Sequence, residues 1–202
     1  MELLEEPGVL AGEALSHHAL IKALAEADDD TYRHSHEVAV TATAVGRRLG
    51  LDRAQLVEVE LAALLHDVGK LYLPPTLLSK PGKLTPAELH LIRQHPEWGA
   101  DMVAQIPGLE AVAEIVRLHH ERPDGTGYPH GLTLERIPLA ARIISVCDAY
   151  GAMTKRRPYR VPLRVEAALT ELERHAGTQF DADVVSALTF YINSAREYPS
   201  VA

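Results

Sequence analysis

Apolar positions recur along most of this chain with a helical period rather than a strand period. Leu15 to Ala27 forms an amphipathic stripe. The acidic run Asp28-Asp29-Asp30-Thr31 reads as a helix start, where carboxylates sit favourably at the positive end of the dipole. The helix that follows runs to about Leu49, with Val38, Ala42 and Val45 on one stripe, and stops at Gly50. Asp52 is placed to cap the next helix, which carries Leu56, Val59, Ala63 and Leu64 into His66-Asp67. Residues 71–84 hold Pro74, Pro75, Pro81 and Gly82 and read as a long connection. Thr85-Pro86-Ala87-Glu88 has the form of a capping box with Pro at the first helical position, and its helix reaches His95 and breaks at Pro96. Shorter helices are expected over 97–106 and 109–120, with Pro107-Gly108 between them. Pro138 opens a strongly apolar helix through Ala152. Another spans about 162–175, and Asp181 caps the last, about 182–196. No long run alternates with period two. The expectation is an all-α, single-domain helical bundle over residues 14–202, with residues 1–13 a stub or linker broken by Pro7, Gly8 and Gly12.

Composition sharpens this picture. The chain has 202 residues and is 47% apolar, enough for one sizeable core and too apolar for a disordered chain. Aromatics are only 5%, which favours helices over a β-sandwich. A formal net charge of −8 argues against a binder of DNA or RNA polymers, which would carry a basic face. A small anionic ligand held by local cations remains compatible with it. One cysteine, Cys147, excludes an internal disulfide and suits a reducing cytoplasm; it lies in an apolar run and reads as core. No run approaches the roughly 18 apolar residues of a membrane span. Glu2, Glu5 and Glu6 are unlike the basic start of a signal peptide.

The chemistry is concentrated in two places. His66-Asp67 ends one apolar segment and is followed by Gly69-Lys70. His119-His120 ends another and runs into Glu121-Arg122-Pro123-Asp124-Gly125-Thr126-Gly127-Tyr128-Pro129. Histidines and a carboxylate at helix ends, each beside a glycine-containing turn, suggest a metal site assembled between helices. Adjacent residues on a helix point about 100° apart, so both members of a pair can face one site only near a helix end or between two metals. That suits two ions sharing a bridging carboxylate. A mixed His and Asp shell favours Fe or Mn over Zn, and two such ions would activate a bridging water for phosphoester hydrolysis.

Taken in order, several segments resemble the HD-GYP domain, the branch of the HD metal-dependent phosphohydrolases associated with cyclic di-GMP hydrolysis. They are Thr31 to Ser35, His66 to Lys70, Lys80 to Thr85, His95-Pro96, His119 to Pro129, Ile137-Pro138, Asp148 to Tyr150 and Arg157 to Arg160. The resemblance implies a metal set of His34, His66, Asp67, His95, His119, His120 and Asp148, with Asp67 bridging two divalent ions. It implies that Asp67 and Lys70 serve the chemistry, Lys70 by neutralising a substrate phosphate. Arg157 and Arg160 would hold phosphate or a guanine edge, as planar forks do well. Tyr128 would sit near the site and contact substrate, not metal. The implied reaction opens cyclic di-GMP to linear pGpG by way of a metal-bridged hydroxide, and leaves open whether the linear product is cut again to GMP.

Three positions depart from the pattern. Gly151 stands where the family usually has a second Asp, which bears on guanine recognition and leaves open another cyclic dinucleotide such as cyclic GMP-AMP. Glu37 stands where many relatives have Arg and reads as a surface change. Asp30 stands where some relatives use a Glu for a third ion; it either completes that site or caps the helix. A further alternative is a low-turnover module that senses cyclic di-GMP, or docks a diguanylate cyclase or adaptor through the Gly-Tyr-Pro loop.

Overall fold

The structure is a computed structural model that describes residues 16–155 and 161–197. Ten α-helices carry the fold, and among the described residues no strand forms, only two isolated β-bridges. The helices are α1 (His17–Ala27), α2 (Asp29–Arg48), α3 (Arg53–Leu65), α4 (Pro75–Leu78) and α5 (Pro86–Ile92), then α6 (His95–Ala104), α7 (Glu110–Leu118), α8 (Leu139–Thr154), α9 (Val165–Arg174) and α10 (Ala182–Glu197). Short 3₁₀ turns cover Val68–Tyr72 and Leu134–Arg136.

Several helix starts are written in the sequence as caps. Asp28 accepts from the backbone N–H groups of Asp30 and Thr31 at the head of α2. Asp52 and Gln55 form a reciprocal capping box on α3, as Thr85 and Glu88 do on α5. Asp181 Oδ1 accepts from Asp183 and Val184 at the head of α10. The stripe Val38, Ala42 and Val45 of α2 is fully buried against Val59, Ala62 and Ala63 of α3, together with Val116, Ile143, Ile144 and Leu188. Alanines at 42, 62 and 63 let α2 and α3 approach closely. Helix α2 also packs on α8, and α6 packs on α7 and on the Val68–Tyr72 turn. Cys147 lies in this core, buried, and burial raises its thiol pKa.

Four boundaries differ from the sequence-based expectation. The helix after Thr85 ends at Ile92, and His95-Pro96 opens α6 instead of ending α5. Proline is at home in a first turn, where its missing N–H would have had no helical partner. The stretch 71–84 is not all connection: it holds the end of a 3₁₀ turn and the four-residue α4. Helix α9 starts at Val165, not near Pro162, and α8 continues to Thr154. The stub at residues 1–13 lies outside the described residues.

The capping box of α5 yields a pH prediction. Hydrogen bonds from Lys80 and from the Thr85 backbone hold Glu88 down from its ordinary 4.5 to about 2. A lowered folded-state value means the contribution is complete above 4.5 and fades as pH falls toward 2. Glu88→Gln is therefore expected to be less stable than the parent in urea unfolding near neutrality, and the gap should close as the solution is acidified through that window.

Candidate metal centre

All seven residues expected as ligands come from helix ends or from helix faces that look at those ends. His66 is the C-cap of α3, and Asp67 leads into the Val68–Tyr72 turn. His95 is the first residue of α6, and His119 is the C-cap of α7 with His120 next. His34 and Asp148 project from the α2 and α8 interiors. All seven meet at one place. Ligand atoms of His34, His66 and Asp148 lie within 4.8 Å of one another; so do those of His95, His119 and His120, and those of His66, Asp67 and His119.

Asp67 sits between the first two groups. Its Oδ2 is 3.4 Å from His66 Nε2 and its Oδ1 is 3.2 Å from His95 Nε2. Lys70 Nζ lies 2.6 Å from Asp67 Oδ2. Burial opposes ionisation of Asp67, yet Lys70 and then His66 outweigh it, and the carboxyl is held well below its usual range. At the other end His34 Nε2 is 2.7 Å from Asp148 Oδ1. Burial again opposes, and the His34 contact again holds the Asp148 carboxyl low.

Three of the rings are oriented by one recurring contact. His66, His95 and His119 each donate Nδ1–H to a carbonyl three residues back, at Ala63 (2.7 Å), Ile92 (2.7 Å) and Val116 (2.6 Å). A carbonyl only accepts, so Nδ1 carries the proton in each ring. Burial and the neighbouring imidazoles hold His119 neutral, with its pKa well below the ordinary 6.5, and burial takes His120 down to about 3. The Nε2 of His119 is therefore a lone pair, and it faces His95 Nε2 at 3.4 Å. His66 Nε2 and His34 Nδ1 are buried without a hydrogen-bond partner. Imidazole nitrogens converging around two carboxylates, with His66 Nε2 left unpartnered beside Asp67, are a donor set that fits divalent cations.

A cavity of about 840 Å³ opens onto this centre, lined by His34, Asp67 and Lys70 and walled by Arg33, Glu37 and Lys155, with apolar Leu24, Leu73 and Leu78. Lys155 Nζ pairs with Glu37 Oε1 at 2.7 Å, so Glu37 is not only a surface change: it stands on the cavity wall. Tyr128 does sit beside the site, its ring stacked on His120 with centroids 4.8 Å apart, and the Arg93 guanidinium lies 5.2 Å from its ring centre.

Asp30 does not cap α2, because Asp28 occupies that position. Asp30 also joins none of the three ligand groups: its Oδ1 pairs with Arg33 at 3.0 Å. Gly151 packs against His34, and a Cβ added there would lie 3.0 Å from His34 Cε1. An acidic side chain at 151 would therefore press on that ring as well as alter the wall. Arg157 and Arg160 lie outside the described residues. Sequence reasoning missed the wall residues Arg33 and Lys155, whose placement follows from tertiary packing and has no motif. It also missed Arg93.

This centre sits at the meeting point of helix ends in an all-α bundle, and comparison with known proteins gives its family. A family model described as an HD domain matches residues 18–184, and the chain belongs to that family. The chain is 41% identical over 177 residues to the cyclic di-GMP phosphodiesterase PA4108 of Pseudomonas aeruginosa, covering 87% of this chain and 42% of that protein. It is 35% identical over 163 residues to 3'3'-cGAMP-specific phosphodiesterase 3 of Vibrio cholerae, covering 81% of this chain and 35% of that protein. The chain thus spans under half the length of these curated relatives. A solved cyclic GMP-AMP specific phosphodiesterase of V. cholerae superposes with a TM-score of 0.67 at 19% identity, over 88% of this chain and 48% of that one, which shows the shared fold.

Gly69 is what lets the His-Asp turn approach α6. A Cβ there would fall 2.0 Å from the His95 carbonyl oxygen and 2.6 Å from Gly99 N, both backbone atoms that cannot step aside. Gly69→Ala is expected to cost about 3 kcal/mol in chemical unfolding, at the upper end for overpacking, and to lower metal content in the folded fraction.

Proposed function

We propose that this chain is a cytoplasmic, metal-dependent phosphodiesterase of the HD-GYP branch that hydrolyses cyclic di-GMP to linear pGpG. The observation that carries the reading is Asp67, a buried carboxylate with one oxygen toward each cluster of imidazoles. That is the placement required of a ligand shared by two cations. His34, His66 and Asp148 would hold one, and His95, His119 and His120 the other. Imidazole with carboxylate suits Fe or Mn, and Zn less well. When bound, such ions lower the pKa of a water and offset phosphate charge. A third ion at Asp30 draws no support from the geometry, since Asp30 faces Arg33.

The chain's own residues account for binding and orientation. Lys70 reaches the cavity from the His-Asp turn and brings a cation beside Asp67, where a phosphate would enter. Arg33 and Lys155 add positive charge on the facing wall, and Arg157 and Arg160 follow closely in sequence. The cavity volume falls within the range of sites for ligands of nucleotide size. The 41% identical relative named for cyclic di-GMP supports that substrate; the 35% identical one named for cyclic GMP-AMP keeps the second dinucleotide as the alternative. Docking of a diguanylate cyclase or adaptor through the Gly-Tyr-Pro loop has less support, because Tyr128 is turned inward onto His120. No described helix is long and apolar enough to cross a membrane.

The test is metal analysis of anaerobically purified protein joined to product analysis. Two ions per chain and conversion of cyclic di-GMP to pGpG are expected, with cyclic GMP-AMP cut more slowly. His66→Ala should lose more than about 100-fold in kcat/KM, because loss of mere outer-sphere support already costs ~10–100-fold. Intact cyclic di-GMP after incubation with metal-replete protein would sink the reading. Lys155→Ala should raise KM roughly 3- to 10-fold with kcat nearly unchanged, as expected for a contact made equally in ground and transition states.

A further inference from the structure

Glu121 follows the His119-His120 pair and is fully buried, yet it touches neither cluster of ligand atoms. Its carboxylate accepts three backbone hydrogen bonds from one short stretch: Oε1 from His130 N at 2.6 Å and Gly131 N at 3.1 Å, and Oε2 from Leu132 N at 2.9 Å. Those residues close the loop that begins at Glu121 itself. An antiparallel bridge between Asp124 and Thr133 joins the loop's two sides. Inside it the chain folds back on its own start. Tyr128 N donates to the His120 carbonyl at 3.2 Å, and a Cβ at Gly127 would strike Arg122 N at 2.4 Å and His120 O at 2.7 Å. The result is that the Tyr128 ring is laid on the His120 imidazole.

Burying an ionised carboxylate is costly unless its lone pairs are filled. Here they are filled by the loop, so the folded loop and the buried charge stabilise one another. Glutamate suits this position because both oxygens accept. A glutamine would present an N–H₂ donor to one set of backbone donors while keeping nearly the same shape.

We propose that Glu121 is a positioning residue for one half of the metal centre: it fixes the loop whose Tyr128 ring holds His120, and through His120 it tunes the cluster with His95 and His119. This rests on the two-cation reading above. His34, His66 and Asp148 come from α2, α3 and α8 and do not touch the loop's ring, so their cluster is unaffected.

Titration of metal-free protein with Mn(II), followed by calorimetry and by elemental analysis, tests this. Two equivalents are expected for the parent. In Glu121→Gln one equivalent should weaken by about 10–100-fold, the usual effect of losing outer-sphere support, while the other keeps parental affinity and the far-ultraviolet circular dichroism is unchanged. Tyr128→Ala leaves the buried carboxylate in place and should weaken the same single equivalent, so it carries the test if Glu121→Gln does not fold. Both variants binding two equivalents like the parent, or losing both together, would overturn the inference. Fewer than two equivalents in the parent would instead overturn the two-cation reading, and this inference with it.

Discussion

The Asp67 carboxylate is the constraint around which the rest is arranged. An ionised carboxylate with almost no exposure is tolerated only where opposite charge and hydrogen-bond donors surround it. Lys70 supplies such a partner from the same turn, and the imidazoles of His66 and His95 close round the carboxylate from two helices. For one small group to meet all of these, the end of α3 must touch the start of α6. That contact in turn requires Gly69, because any side chain there would occupy the His95 carbonyl. The packing of α6 on the 3₁₀ turn and the polarity of the site are thus one requirement seen from two sides.

The histidines solve a second problem with the same bonds. The last carbonyls of a helix have no partner in the helix and must find one or face solvent. Ala63, Ile92 and Val116 are such carbonyls, near the ends of α3, α5 and α7, and each receives Nδ1–H from the histidine three residues on. Each bond closes a helix end and, at once, fixes which nitrogen carries the proton. What a purely structural role cannot explain is the other nitrogen. A capping histidine could turn its Nε2 to water; here those atoms are aimed inward, toward one another and toward Asp67.

Helix capping and the two pairs His66-Asp67 and His119-His120 were legible in the sequence because both are local signals, whereas His34, His95 and Asp148 came only from the resemblance. Asp28, Asp52, Thr85 and Asp181 announce helix starts by residue type and spacing, and His66-Asp67 and His119-His120 stand at helix ends where the chain must turn. Pro96 misled, since the same residue that ends one helix can open the next, and local pattern does not say which. Glu37 was read as a surface change, and Arg33 and Lys155 were not singled out, because nothing local distinguishes a cavity wall from a free surface; Lys155 meets Glu37 only through the packing of α8 on α2. Glu121 was hidden for the same reason: its partners are backbone groups, which no sequence motif displays.

In the proposed reading an acidic chain receives an anionic ligand, and the wall cations alone do not account for that. Lys70, Arg33 and Lys155 each already have a carboxylate partner, Asp67, Asp29 with Asp30, and Glu37 respectively. Such pairs hold long side chains in place, so less rotamer freedom is lost when an anion arrives. Pairing also cancels most of their charge, which leaves the side chains too weak to gather phosphate alone. The missing positive potential has to come from within the imidazole clusters, where the neutral rings of His119 and His120 contribute none of their own. A divalent ion fills both needs, and its absence would leave a cavity of the right size with little reason for an anion to enter.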